Sequence, residues 1–199
     1  MADDHTHVLD FFTPRAAGWD SRFPDDGAAY TTAAGMLGLR PGDAVLDAGC
    51  GTGRALPALR AVVGPRGTVL GADITPAMLE EAARAGRGGS GTLLRADVAR
   101  LPLRDGVLDA VFGAGLISHL ARPGADMTEL ARVVRPGGVL ALFHPIGRAA
   151  LAARHGRTIT DDDLRAEPRL RELLAGAGWR LESYTDEDDR FLALAVRQA

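Results

Sequence analysis

The segment Ala44-Val45-Leu46-Asp47-Ala48-Gly49-Cys50-Gly51-Thr52-Gly53-Arg54 constrains this chain more than any other. An apolar run follows the turn signal Pro41-Gly42-Asp43 and passes directly into three glycines at alternate positions. It continues as Arg54 to Val63, where Leu56, Leu59 and Val63 recur at helical spacing. Strand, glycine loop and helix in that order form the context that a nucleotide-binding loop requires. Glycines there let the backbone turn sharply and let a ligand approach without meeting a Cβ. Asp73, 20 positions beyond Gly53, closes the next apolar run, Thr68 to Asp73. A carboxylate at that point can accept hydrogen bonds from both ribose hydroxyls of an adenosine.

The rest of the chain alternates in the same way. Thr75-Pro76 reads as a helix N-cap with proline at the first helical position, and the helix runs on through Met78, Leu79 and Ala82. Thr92 to Ala96 and Val107 to Phe112 read as the third and fourth strands. Met127 to Val134 reads as a helix stopped by Arg135-Pro136-Gly137-Gly138, and Gly138 to Phe143 as the fifth strand. A helix over Leu164 to Ala177 precedes two strands, Arg180 to Tyr184 and Phe191 to Val196, joined by the acidic run Asp186 to Asp189. This order predicts an α/β fold, a seven-stranded, mostly parallel sheet with helices on both faces. The last two strands have no helix between them and are expected as an antiparallel hairpin at one edge. Residues 1–40 stand outside the alternation and read as a short N-terminal helical lid, with a helix from about Asp26 to Leu39; residues 41–199 form the core of a single domain.

Composition removes several function classes. The 199 residues, 46% hydrophobic and 25% charged, suit one globular domain. A net charge of −3 disfavours a nucleic-acid binder that works by phosphate neutralisation. All 23 basic residues are arginine, so Schiff-base chemistry and a P-loop lysine are both excluded. The single cysteine, Cys50, cannot form an internal disulfide, which fits a reducing compartment. The acidic N-terminus lacks an apolar run, and no stretch approaches the roughly 18 apolar residues of a membrane helix, so a cytoplasmic protein without a membrane partner is expected. Asp3, Asp4, His5 and His7 lack a fixed scaffold, and no metal site is expected.

Dinucleotides and S-adenosylmethionine (SAM) both use a glycine loop followed by an acid, and two details favour SAM. A dinucleotide loop wants GxGxxG with the pyrophosphate on the helix N-terminus, whereas here the third glycine comes one position early and Arg54 follows it. Asp47 stands directly before the loop, where a carboxylate would repel a pyrophosphate but suits a ligand carrying an ammonium and a sulfonium. The alternative for Asp47 is a buried carboxylate satisfied by loop N–H groups.

At these residues the chain resembles the class I SAM-dependent methyltransferases, over roughly residues 40 to 145. Asp47-Ala48-Gly49-Cys50-Gly51-Thr52-Gly53 is similar to the family's first motif, and Ala72-Asp73-Ile74-Thr75-Pro76-Ala77-Met78-Leu79 to its second. Ala96-Asp97-Val98-Ala99-Arg100-Leu101-Pro102-Leu103 resembles the segment after the third strand. Leu108 to Phe112 with Gly113 to Leu120, and Arg135-Pro136-Gly137-Gly138-Val139-Leu140, resemble the fourth- and fifth-strand motifs. The resemblance implies a Rossmann-like fold that binds SAM and releases S-adenosylhomocysteine (SAH). It assigns cofactor binding to Asp47, Gly49, Gly51, Gly53, Asp73, Ile74, Met78, Asp97, Val98 and Gly115. Ile74 would pack on adenine and Asp97 would accept from its amino group; the alternative for Asp97 is a turn cap.

The expected acceptor is a small molecule, because no large insertion separates the fifth strand from the final hairpin. The Asp10-Phe11-Phe12 to Gly18-Trp19-Asp20 segment resembles the N-terminal stretch of the quinone-biosynthesis group, with Trp19 standing where those proteins usually carry tyrosine. Methyl transfer from a sulfonium is an in-line displacement, and a base is needed only where the acceptor must lose a proton. His119 and His144, after the fourth and fifth strands, are the candidate bases or, alternatively, structural histidines; Trp19 and Arg148 are the candidate acceptor contacts. A SAM-binding regulatory protein without transferase activity remains a rival reading. An NAD(P)-dependent oxidoreductase is a second, although no Tyr-x-x-x-Lys pair is present. No Asn-Pro-Pro-Tyr-like motif follows the fourth strand, which further disfavours a nucleic-acid substrate. Both a monomer and a homodimer are compatible with the sequence.

Overall fold

Apolar runs of four to eight residues separated by helical segments are too short to span anything but a sheet core, and they assemble here as one sheet. The computed structural model describes residues 6–22, 26–160 and 162–199. Its strands are β1 (Ala44–Ala48), β2 (Thr68–Asp73), β3 (Thr92–Arg95), β4 (Leu108–Ala114), β5 (Val134–His144), β6 (Trp179–Glu187) and β7 (Arg190–Arg197). They lie in the order β3-β2-β1-β4-β5-β7-β6. The first five pair in parallel, and β7 pairs antiparallel with both β5 and β6. The expected Rossmann-like sheet with its edge hairpin is therefore observed.

Each central strand is buried on both faces, so its residues divide between two cores. Val45 and Phe112 pack with Leu56, Leu59 and Val63 of α3 (Leu56–Val63) and with Ala33 and Ala34 of α2 (Gly27–Gly35). Leu46, Val111 and Leu140 pack on the other side with Met127 and Leu130 of α5 (Pro123–Val133) and Leu170 and Leu174 of α7 (Glu167–Gly176). Trp179 at the start of β6 is 1% exposed, and its Nε1–H donates to the Met127 carbonyl at 2.9 Å, which satisfies the one polar atom of a buried indole. α4 (Pro76–Arg84) begins at the predicted proline.

Several boundaries differ from expectation. Arg135-Pro136-Gly137-Gly138 does end α5, but it is itself strand: β5 starts at Val134, and its register against β4 shifts between Leu108 and Ala110. The cap contains α1 (Thr6–Phe12), two short 3₁₀ turns over Thr13–Gly18 and Asp20–Arg22, and then α2, which stops at Gly35 rather than Leu39. An unpredicted helix, α6 (Arg148–Arg154), follows β5. No helix among the described residues is long and apolar enough to cross a membrane.

The strand order reverses between β1 and β4, which leave the sheet centre in opposite directions toward β2 and β5. Ligands of open α/β sheets bind in the crevice beyond the carboxyl ends at such a point. The cap folds over that crevice.

Candidate active site

The carboxyl ends of β1, β2, β4 and β5, with the segments that follow them and the cap, wall a cavity of about 910 Å³. Its floor is the glycine loop. Gly49 and Gly51 take φ of +66° and +53°, which residues with a Cβ rarely adopt. A Cβ on Gly49 would lie 3.0 Å from Leu116, while one on Gly51 would occupy open space at the cavity wall. Gly53 does not line the cavity; a Cβ there would lie 3.0 Å from Leu56, so its place is set by packing of the loop on α3.

Asp73 ties this loop to β2. Its Oδ2 accepts the Gly51 N–H and its Oδ1 the Thr75 N–H, both at 2.8 Å. Burial raises its pKa, and these two donors oppose the rise. Asp47 is 1% exposed, and its Oδ1 has no hydrogen-bond partner among the described residues. Burial, and then the charge of Asp73, push its pKa well above the usual carboxylate range. Loop N–H groups therefore do not satisfy Asp47 fully. Burial raises the Cys50 thiol as well, with Asp47 and Asp73 adding to the rise, so Cys50 is a poor nucleophile.

Ile74, Met78, Asp97, Val98 and Gly115 all line the same cavity, together with Asp47, Gly49, Gly51 and Asp73. Asp97 also caps its own turn, accepting the Ala99 N–H at 2.9 Å through Oδ1. The turn-cap alternative for Asp97 is thus observed, and a carboxylate has lone pairs to spare after one such bond.

On the acceptor side, His119 ends the 3₁₀ turn Leu116–His119 and meets the Phe12 ring edge-on at 4.9 Å, while Phe12 packs on Trp19 at 5.3 Å. Burial lowers the His119 pKa, with His7 and Arg165 adding to the fall, so the ring is neutral. His144 Nδ1 lies 2.9 Å from the Ile146 carbonyl. The Ile146 N–H also lies 3.2 Å from Nδ1; the tautomer with hydrogen on Nδ1 makes the shorter bond, to the carbonyl, and leaves a lone pair on Nε2, whereas the other tautomer accepts the N–H. Burial lowers its pKa as well, against the Ile146 bond. Trp19, His119 and His144 line the cavity.

Arg148 does not. It is 8% exposed and turned behind the cavity wall, its Nε 3.2 Å from Asp163 and its Nη1 3.5 Å from Asp186. The first turn of α6 directs its side chain toward the β6–β7 hairpin instead of the ligand. Asp186, in the acidic run between the last two strands, also accepts the Arg148 backbone N–H at 2.7 Å.

Other residues were not singled out by the sequence. Asp20 of the cap accepts the Thr52 hydroxyl at 2.6 Å and pairs with Arg87 at 2.7 Å, while Arg87 donates to the Thr52 carbonyl at 2.6 Å. Arg54 pairs with Asp26, and its guanidinium lies 5.8 Å from the Tyr30 ring centroid. Tyr30 lines the cavity and packs against Phe143 at 5.2 Å, and burial raises its phenol pKa. Asp20 and Thr52 are 32 residues apart, and no local pattern announces such a pair. Asp3, Asp4 and His5 lie outside the described residues, among which no group of three or more His, Cys, Asp and Glu is placed to hold a metal ion.

A glycine cradle with an acid at the end of each of the first two strands, at the switch point of a doubly wound sheet, defines an adenosine-binding Rossmann-like protein. Residues 46–142 match the family described as "Methyltransferase domain". The chain is 37% identical over 110 residues to an uncharacterized 37.1 kDa protein in transposon TN4556 of Streptomyces fradiae, an alignment covering 55% of this chain and 32% of that one. It is 35% identical over 104 residues to the demethylmenaquinone methyltransferase of Symbiobacterium thermophilum, covering 50% of this chain and 41% of that one. The chain thus spans less than half the length of these two relatives. The magnesium protoporphyrin IX methyltransferase of Synechocystis, solved with bound SAH, superposes with a TM-score of 0.74 at 21% identity, over 98% of this chain and 100% of that one. Residues 46–142 of the chain thus resemble the SAM-dependent methyltransferase family, and the fold is the one that solved methyltransferases share. The cofactor of this family is SAM, and the orphaned Asp47 carboxylate beside an open glycine cradle fits a ligand that carries positive charge.

Proposed function

We propose that this protein transfers a methyl group from SAM to a small-molecule acceptor, leaving SAH. The observation that carries the reading is the buried Asp47 Oδ1, without a hydrogen-bond partner among the described residues and facing the same cavity as Asp73 and Asp97. Three carboxylates along one wall match an ammonium group, a ribose diol and an adenine amino group, in the order in which β1, β2 and β3 end. Ile74, Met78 and Val98 supply the apolar faces for the base, and Gly49, Gly51 and Gly115 the close backbone approach.

When bound, the cofactor supplies a methyl group on a sulfonium, an electrophile that needs only an aligned nucleophile in a dry site. The chain contributes alignment and the exclusion of water. The cap does both through Trp19 and Phe12, held on the glycine loop by Asp20. His144 is the residue placed to take an acceptor proton at Nε2; His119 instead seats the cap aromatics. One domain carries all of this, with residues 1–40 as its lid, in a cytoplasmic monomer or homodimer that uses no nucleic acid.

Calorimetric titration of wild type and Asp73→Ala with SAM, SAH and NADH tests the reading. Micromolar binding of the two adenosyl ligands, weakened at least about tenfold in the variant, is the expected result. Binding of NADH in their place overturns it, as does a protein that binds none of the three.

A further inference from the structure

Acidic and basic residues both line the cavity, the basic ones including Arg15 and Arg22 of the cap and Arg54 beside the glycine loop. Its carboxylates are Asp26, Asp47, Asp73, Asp97 and Asp126. Asp26 is paired with Arg54, and Asp126 accepts the Arg122 N–H at 3.0 Å in the first turn of α5. The others stand at the cofactor end. The far end, beyond β5, is walled by His144, His155, Arg157 and Arg165, with Leu151 and Phe191 beside them, and no carboxylate from that part of the chain lines it.

Arg165 is built for a ligand. It is only 16% exposed in its side chain, and Asp163 grips it from behind: Nη2 and Nε lie 2.9 and 3.1 Å from the two carboxylate oxygens. Asp163 also accepts the Arg165 N–H at 2.9 Å, and the Tyr184 hydroxyl donates to the Arg165 carbonyl at 2.8 Å. These bonds fix the guanidinium plane and leave Nη1 unused. Asp163 also pairs with Arg148, which pairs with Asp186 in turn, so these two aspartates balance Arg148 and Arg165, and what Arg165 offers the cavity is an oriented Nη1 donor. Arg157 reaches the same wall with no side-chain bond to any described residue, and its backbone is held by the Ala152 carbonyl at 2.9 Å. Burial is the chief cause of the lowered His119 and His144 pKa values; His7 and then Arg165 add to the fall for His119, and Arg165, Arg154 and His155 for His144, against the Ile146 bond.

We propose that the methyl acceptor is an organic anion with an apolar body, its anionic oxygens, a carboxylate or a phosphate ester, seated on Arg165 and Arg157 at the β5–α6 end of the cavity. A guanidinium fork already oriented by a carboxylate loses little freedom on binding an oxyanion, and both oxyacids match its geometry. The proposal rests on the methyltransferase reading, since it takes the acidic end of the cavity as the cofactor's.

The test uses SAH-loaded protein titrated with 1-naphthoate, 1-naphthyl phosphate and the neutral 1-naphthamide, by calorimetry. At least one anion is expected to bind about tenfold more tightly than the amide, the value of a charge-assisted hydrogen bond or two. Which anion does so separates carboxylate from phosphate acceptors. Arg157→Gln, a change on an exposed side chain, is expected to remove most of that preference and leave SAH affinity unchanged; Arg165→Gln should do the same, with a melting curve as its folding control. Equal binding of all three compounds, binding of none, or a preference that survives in Arg157→Gln overturns the proposal. So does loss of SAH affinity in Arg157→Gln, which would assign the arginine to the cofactor's own carboxylate. Failure of wild type to bind SAH instead strikes the methyltransferase reading.

Discussion

Asp20, in the cap, accepts a hydrogen bond from the Thr52 hydroxyl at 2.6 Å and so fastens the cap to the glycine loop. The contact joins the two parts of the site that must meet for water to be excluded. Arg87 completes the latch by bonding both Asp20 and the Thr52 carbonyl.

Asp20→Ala should therefore loosen the lid without unfolding the sheet. The Asp20 side chain is 39% exposed, so solvent screening holds the loss to about 1 kcal/mol, or roughly fivefold in SAM affinity. Hydrogen exchange of residues 6–22 should accelerate while that of β1 and β4 stays unchanged. Unaltered exchange in the cap would show that aromatic packing alone, Phe12 on Trp19 and His119, keeps it closed.

Asp47 ties stability to pH in a direction unusual for a carboxylate. Its folded pKa is raised, so its stabilising contribution is fully present below the ordinary carboxylate value and is lost as pH rises through the raised one. Ligand-free Asp47→Asn should thus be more stable than wild type at neutral pH, by about 1–2 kcal/mol, and the gap should close in acid. The same variant should bind SAM at least about tenfold more weakly, because the amide cannot balance an ammonium. Thermal melts across pH, together with titrations, check both halves; a variant less stable than wild type at neutral pH contradicts the argument.

His144 is neutral at physiological pH, with its pKa lowered chiefly by burial. The acidic limb of the pH–rate profile should accordingly fall below the ordinary histidine value. His144→Gln should lower kcat about 100-fold and flatten that limb, with SAM affinity unchanged. A profile of unchanged shape in the variant would remove His144 from proton transfer.

Arg148 holds the hairpin to α6 through Asp163 and Asp186. Arg148→Ala should lower stability by about 1–3 kcal/mol, seen as a reduced melting temperature, while SAM affinity stays within about twofold. A variant that keeps its melting temperature but loses acceptor binding would return Arg148 to the ligand.

What the sequence by itself determined is local or periodic. The glycine loop, the acids at the ends of β1 and β2 and the Thr75-Pro76 helix start are written in consecutive residues, because backbone sterics and strand periodicity act over a few positions. The parallel order followed from strands alternating with helices, and the edge hairpin from their final adjacency. Gly53, placed by the motif among the cofactor contacts, does not line the cavity and leaves no room for a Cβ beside Leu56, a distinction of distance that spacing cannot carry.

What only the tertiary structure decided is the pairing of charges across long separations. Arg148, just past a strand end, looks from the sequence like a ligand contact, yet the phase of α6 turns it to Asp163 and Asp186, 15 and 38 residues away. Arg165 was not singled out in the sequence at all, yet the same Asp163 fixes it on the cavity wall. An ionised side chain goes where its counter-charge and its helix face direct it, and both are set by chain segments that meet only on folding.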